Sequence, residues 1–419
     1  MRSLPLITIL IILFLSGCGG IGRGMMEGFL EHKKEDTRKC KIYGKSFDGV
    51  SQNMSKSKGA VKLLYVHGVG DHISGYSMEF MEKLSKELGL NRRSKNYKEI
   101  SIINKDFPGK PLGTLRIYKL TSRDNSQKTL LFHELTWSEI TREEKKLLAY
   151  DNSGEYAFRR ANFNNAIKKF SNDTSPDPMI YLGKSRQTIL TSFIQSFCWM
   201  GTNKWQDIPD NGAHQCFAAK PGSFKNLDKD DYIFVSHSLG SRIAIDGLQH
   251  IASVFEKGMD GKDKERLRKL HDVLKNKNLK MFMLSNQLPM LQLGLDDPEV
   301  FNKIPSYCKK NGPNWNKRMF NKTSITAFSD PNDILSYAIP KSFTDRYLDS
   351  RICPSVTNVL INVSHVSELF GLGEFANPMT AHTSYDKDDR VVSLIANGIS
   401  SDNEERILKQ RCSWTELKD

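Results

Sequence analysis

The 419-residue chain has no Cys-x-x-Cys pair, no zinc-finger spacing, no basic zipper and no RNP-like strand. Their absence excludes the usual thiol redox motif, the common zinc sites and the recognisable nucleic-acid modules. Past the N-terminus no apolar run is long enough to cross a bilayer. No internal repeat is visible, and the histidines show no metal-ligand spacing. Gly183-Lys184-Ser185 would need a glycine six positions before the lysine to make a phosphate loop, and that position is Pro178. No metal, cofactor or nucleic acid is therefore expected. What is present is an ordinary globular composition, with 38% apolar and 26% charged residues. The formal charge is +13, but Lys and Arg are scattered in pairs such as Arg92-Arg93 and Lys309-Lys310. This reads as a solvated, mixed-charge surface; a basic face can also hold a protein against anionic head groups.

The N-terminus carries an address. Met1-Arg2-Ser3 supplies a positive charge, Leu4 to Leu15 is almost wholly apolar, and Leu15-Ser16-Gly17-Cys18 follows. That core is of signal-peptide length and too short to span. The segment resembles a bacterial lipoprotein signal, which implies cleavage before Cys18 and lipidation of its thiol. Residues 1–17 are then the signal, and residues 18–58, polar and glycine-containing, a tether with at most one short ordered piece. Each buried acyl methylene adds about 0.8 kcal/mol, so several chains on one cysteine anchor firmly. Gly19, where an aspartate would favour inner-membrane retention, leaves an outer-membrane address in the cell envelope. Export also permits disulfides among Cys40, Cys198, Cys216, Cys308, Cys353 and Cys412. Cys198 and Cys216 bracket one loop-like segment and are the expected pair; six cysteines allow fifteen connectivities, so the others stay open.

Short apolar strands alternate with helices from Ala60 onward. Ala60–Val66 is a strand, "SMEFMEKLSKEL" a helix, and "TLRIYKL" and "TLLFHELTW" are strands. Residues 59–140 form the first part of the core. Residues 141–229 break the pattern with helical pieces and proline-containing loops, and read as a helical cap insertion. The alternation resumes over 230–419, with strands at Asp231–Val235, 279–286, 324–330 and 356–364 and helices at 241–256 and 389–399. This pattern predicts an α/β fold with a mostly parallel sheet covered on both faces.

One turn stands out. In "DDYIFVSHSLGSRIAIDGLQ" an apolar strand runs into Ser236-His237-Ser238-Leu239-Gly240 and an amphipathic helix runs out. A serine hydroxyl is a weak nucleophile until an imidazole takes its proton, and the imidazole needs a carboxylate to hold its tautomer. A sharp strand-to-helix turn lifts the serine clear of the sheet and aims a helix N-terminus at the developing oxyanion. The motif matches G-x-S-x-G with Ser236 in place of the first glycine. The plain alternative is that Ser238 is only a helix N-cap.

These features resemble the α/β-hydrolase superfamily, especially its lipase and esterase branches, over roughly Ala60 to Ser400. The resemblance implies an α/β-hydrolase fold and places an acid and then a histidine after successive later strands. Asn332-Asp333-Ile334-Leu335 is similar to a lipase run, which makes Asp333 the acid and Asp330 the alternative. His382 with Tyr385 is similar to a His-x-x-Tyr of lipases, and His365 is the rival histidine. "HGVGDH" resembles the lipase His-Gly-x-Gly loop, so Val69 N–H joins Leu239 N–H as an oxyanion donor. His67 and His72 read as structural hydrogen-bonders. The aromatic helix with Ile189, Leu190, Phe193, Phe197, Trp199 and Met200 either lines an acyl groove or is the insertion's packing face.

Together these readings describe a lipid-anchored serine hydrolase acting on carboxylic esters, those of lipids or phospholipids first. The alternatives are a non-enzymatic envelope lipoprotein that uses the fold for binding, or an acyltransferase. The oligomeric state is not legible. A Cys18→Ala variant is expected to lose incorporation of labelled acyl chains, and unchanged incorporation would refute the anchor.

Overall fold

The computed structural model describes residues 38–122, 128–202, 204–217, 224–258, 264–368, 374–400 and 405–415. Cys18 and the signal segment 1–17 lie outside the described residues. The strands in chain order are β1 (Cys40–Tyr43), β2 (Phe47–Asp48), β3 (Val61–Val66), β4 (Leu90–Ile102), β5 (Thr114–Ser122), β6 (Thr129–Thr136), β7 (Ala213–His214) and β8 (Asp231–His237). They continue with β9 (Asn278–Leu284), β10 (Lys322–Ser329), β11 (Pro354–Ile361), β12 (Val366–Glu368), β13 (Glu374–Ala376), β14 (Gly398–Ile399) and β15 (Cys412–Thr415). Eleven of them build one sheet in the order β15-β1-β11-β10-β9-β8-β3-β6-β5-β4-β7.

The centre of this sheet, β6-β3-β8-β9-β10-β11, is parallel throughout. β5 runs antiparallel to both β6 and β4 on one side, and β1 runs antiparallel to β11 on the other. The molecule is thus α/β with a mainly parallel, mixed central sheet. Side chains alternate across the pleat. Leu64 and Val66 of β3 and Phe234 of β8 join a core shared with the Arg186–Thr202 and Leu239–Gly258 helices. Leu63, Tyr65, Ile233 and Val235 point the other way, toward the Met78–Glu87 and Asp389–Asn397 helices. Helices therefore cover both faces, and the parallel strands are mostly buried, with Lys62, His133 and Glu134 among the few polar side chains enclosed between the layers.

Several elements depart from the expectation. Within the stretch read as a tether, β1 is a sheet strand and Val50–Lys56 is a helix. β1 pairs β15 in register, and the Cys40–Cys412 disulfide joins them. The expected Cys198–Cys216 bridge is present, and Cys308–Cys353 is the third. β4 was not foreseen, because "NRRSKNYKE" is too charged to read as a strand; β4 packs one neighbour, β7, only over Ser101 and Ile102.

Within residues 141–229, the Arg186–Thr202 helix lies on the sheet. Its Ile189, Leu190, Phe193, Phe197, Trp199 and Met200 are all buried in the main core. Phe193 packs against Phe234 with ring centroids 5.7 Å apart and occupies the space a Cβ on Gly247 would need. Of the two readings of these aromatics, packing holds and the acyl groove does not. A Phe193→Ala variant is expected to lose about 3–5 kcal/mol of stability in denaturant unfolding.

Candidate active site

β8 ends at His237 and the next helix begins at Leu239, so the chain reverses its course within one residue. That residue, Ser238, has φ 53°, a left-handed conformation that non-glycine residues seldom adopt. Such strain persists only where the surroundings over-determine it. Ser238 N–H donates to Leu284 O at 2.9 Å, and Ser241 N–H donates to Ser238 O at 3.0 Å. A Cβ on Gly240 would stand 2.4 Å from Val66 O and 2.5 Å from His67 O, so the helix start presses directly on the end of β3. Ser236, in the motif's first small position, is buried and donates to Ser241 Oγ at 3.1 Å. Ser238 itself is buried, and its Oγ has no hydrogen-bond partner among the described residues. A capping serine would accept a helix N–H, and this one accepts none.

The acid and the histidine meet. His382 Nδ1 lies 2.9 Å from Asp333 Oδ1 and 3.1 Å from Oδ2. An ionised carboxylate only accepts, so Nδ1 carries a proton and donates it to Asp333. Asp333 also accepts from Ser285 Oγ at 2.7 Å, Tyr385 OH at 3.1 Å and Leu335 N–H at 3.0 Å. Burial pushes the Asp333 carboxyl up, but the His382 hydrogen bond and charge, with Ser285 and Leu335, outweigh it and hold it below its ordinary value. Asp330 is spent elsewhere: its Oδ2 accepts from Val363 N–H at 2.7 Å and Ser364 N–H at 3.1 Å, and its Oδ1 from Asn332. It ties the end of β10 to the end of β11 and does not bond His382. His365 is exposed on the lead into β12.

The residue beside Ser238 contacts this pair. Among the described residues no hydrogen bond joins Ser238 Oγ to His382. His237 Nε2–H donates to the His382 carbonyl at 2.8 Å, and the two rings lie edge to face at 5.3 Å. Burial, with His382 close by, pushes the His237 imidazole down to about 3, so it stays neutral and serves as a fixed donor. The loop after β3 closes the other side. A Cβ on Gly68 would stand 2.8 Å from Ser238 Cβ, so only a glycine lets the backbone pass here. Among the described residues no acceptor takes the N–H of Val69 or of Leu239. His67 is structural as expected: its Nδ1–H donates to Gly68 O at 2.8 Å, its Nε2 accepts from Trp137 N–H at 3.1 Å, and its ring stacks on Trp137.

Two helices of the 141–229 stretch grip that loop. Gly70 N–H donates to Asp177 Oδ2 at 2.7 Å, and Asp71 N–H to Asp173 Oδ1 at 3.2 Å. Asp177 is fully buried and paired with Lys145 Nζ at 3.2 Å. A cleft of about 200 Å³ opens beside these parts, lined by Gly68, Val69, Phe170, His237, Met379 and His382 among others. Asp386 also lines it. Burial raises the Asp386 carboxyl to about 6, against the pull of Lys387, and its Oδ1 has no partner.

No family model matches the chain, and no curated protein or solved structure does either. Two contributors escaped the sequence reading. Ser285 ends β9 in a second left-handed turn, φ 50°, and its Oγ lies within 2.9 Å of His382 Nδ1. Its signal was a serine closing an apolar strand, which is too common to single out. His237 sat inside the motif but in a position the motif leaves open.

Asp386 generates a pH prediction. Its folded pKa lies above the ordinary carboxyl value, so between pH ~4 and ~6 the native state binds more protons than the unfolded state and stability falls as pH rises. Asp386→Asn is expected to raise stability at pH 8 by roughly 2 kcal/mol, with the gain shrinking toward pH 4. Denaturant unfolding at the two pH values checks it, and an equal gain at both would overturn it.

Proposed function

We propose that the chain is a serine hydrolase of the α/β-hydrolase type that cleaves carboxylic esters, with lipid or phospholipid esters as its substrates. The observation that carries this reading is the hydrogen bond from His382 Nδ1 to Asp333, set beside a left-handed turn that presents Ser238. The order of parts agrees with it. Ser238 follows β8 and Asp333 follows β10, at the C-terminal ends of parallel strands, and His382 follows β11 beyond the β12–β13 hairpin. Ligands of open α/β sheets bind at those ends.

In this mechanism Ser238 Oγ attacks the ester carbonyl carbon while His382 Nε2 takes its proton. Asp333 holds the Nδ1–H tautomer and stabilises the imidazolium that forms. The carbonyl oxygen, now an oxyanion, is received by the N–H groups of Leu239 and Val69. Loss of one such donor costs about 3–4 kcal/mol of transition-state stabilisation. The C–O bond breaks, His382 gives its proton to the leaving alcohol, and an acyl-Ser238 remains. Water, deprotonated by His382, releases the acid. Ser285 and Tyr385 hold the carboxylate in place, and His237 holds the backbone of the catalytic histidine. The lipid anchor at Cys18 and the envelope address belong to the same proposal. They favour an ester of the membrane over a soluble one.

A fluorophosphonate probe is expected to label the wild-type protein at Ser238 and not to label Ser238→Ala. Asp333→Asn should keep the fold and lower ester turnover by about 10⁴-fold, as loss of the orienting carboxylate does elsewhere. Asp330→Asn should lower the melting temperature and cost turnover far less than Asp333→Asn. Labelling that persists in Ser238→Ala, or no turnover on esters of any chain length, would sink the reading and favour a binding module. Ester exchange in place of acid release would mark an acyltransferase.

A further inference from the structure

The two ends of the sheet differ in kind. At the end where the parallel strands exit, large apolar side chains stand in water. Ile73 follows β3 and is 79% exposed, Leu293 follows β9 at 90%, and Ile334 follows β10 at 73%. Met179, 73% exposed, and Phe170 extend this patch from the helices that hold the loop after β3. Contacts join its parts. Leu182, from the helix that carries Met179, reaches within 3.1 Å of where a Cβ on Gly294 would stand. Tyr337, in the Ile334 loop, donates its N–H to Asn286 O at 2.8 Å, just before the helix that leads to Leu293. Phe170 lines the cleft itself. Exposed apolar side chains grouped around one site are not the scattered kind a soluble surface tolerates. The opposite end is built from charge. β3, β6, β8 and β9 are entered through Lys58, Lys128, Lys229 and Lys277, with Asp230 and Asp231 beside them, and a cavity there of about 340 Å³ is lined by Lys58, Lys62, Lys119, Lys204, Lys229 and Asp230 among others.

The chain also joins the fold at the apolar end. β1 runs antiparallel to β11 with Cys40 opposite Ile361, so its first residue lies where β11 exits. Arg38 Nη1 donates to Val363 O at 3.1 Å, next to the backbone that Asp330 holds. Cys18 lies 20 residues before Arg38. That length spans at most about 70 Å. A fold of this size is about 50 Å across. Turning the lysine end toward the anchor's membrane would use most of that span, whereas the catalytic rim is already at the point of attachment.

We propose that the rim carrying Ser238, Asp333 and His382 docks on the bilayer that holds the acyl chains of Cys18, and that the substrate ester is drawn from the lipids of that bilayer. This rests on the hydrolase and anchor readings above and adds the orientation. Apolar side chains on the rim enter the boundary between head groups and acyl chains, as they do for proteins that lie on a membrane surface. The cleft then opens onto lipid, and the lysine end faces water.

The test uses the full chain with its native N-terminus, reconstituted on vesicles of phosphatidylethanolamine and phosphatidylglycerol. A polarity-sensitive fluorophore is attached through Leu293→Cys in one protein and Lys58→Cys in another. The expected result is a blue shift and quenching by spin-labelled acyl chains at position 293, with water-like emission at 58. Quenching at 58 without quenching at 293, which would mean docking by charge, overturns the proposal, and so does water-like emission at both. A second protein with Ile73→Glu and Leu293→Glu is expected to lose hydrolysis of vesicle lipid while keeping hydrolysis of a soluble short-chain ester. Equal loss of both, or of neither, counts against the docking. Fluorophosphonate labelling in detergent separates the two readings. A labelled protein whose rim stays in water loses the orientation and keeps the hydrolase; a buried rim on an unlabelled protein does the reverse.

Discussion

The hydrogen bond between Asp333 and His382 crosses from the loop after β10 to the short helix Pro378–Thr383, and it constrains everything around it. Neither residue lies on a regular strand, so each must be brought to a fixed place by its own surroundings. Asp330 does this for the backbone by tying the exits of β10 and β11 together. Tyr385 spans the same gap: its hydroxyl accepts from Asp330 N–H at 2.6 Å and donates to Asp333. Asn377 caps the short helix that carries His382 by accepting from Met379 and Thr380 N–H. Nearly every polar group here is satisfied within the protein, which is what a low-dielectric site requires if it is not to collapse or flood. Ser238 Oγ and Asp386 Oδ1 stand out among them as buried atoms without partners.

The sheet supplies the frame for this constraint. Parallel strands β3, β8, β9, β10 and β11 all exit on one side, so loops far apart in sequence are neighbours in space. Left-handed turns at Ser238 and Ser285 end adjacent strands and place two hydroxyls on the same edge. The helix after Ser238 sits so close to β3 that residue 240 has no room for a side chain. On the far side of the cleft, the buried Lys145–Asp177 pair holds the loop with Val69. A buried pair of this kind is weak as a source of net stability, but it sets a position firmly.

Much of this was legible because the features are local. Apolar runs at β3, β8, β9, β10 and β11 announce buried parallel strands, and the Ser236–Gly240 turn announces a sharp reversal. Asp333, His382 and Tyr385, which the structure joins by hydrogen bonds, stood out through the likeness of the short runs around them to lipase runs. What was hidden depends on contacts between distant segments. β4 is an edge region whose pattern is charged, since only one of its long sides is fully paired. β1 and β15 are four residues each and owe their strand form to pairing across the whole chain. The Arg186–Thr202 helix buries polar residues such as Thr188, Ser192 and Ser196 along with its aromatics, so its sequence could not say whether it faced a ligand or the sheet. Ser285 could be recognised only once β9 was known to lie beside β8 and β10.

The bridge between Cys40 and Cys412 has a further consequence. It staples an outer pair of strands 372 positions apart into one covalent ring. A pull transmitted from the residues before Arg38 would otherwise peel β1 away from β11 one rung at a time. With the bridge in place, that load is shared with β15 and with the helix leading into it, so the sheet resists as a unit. For the same reason a proteolytic nick in a surface loop leaves both pieces covalently joined, and the two termini cannot drift apart.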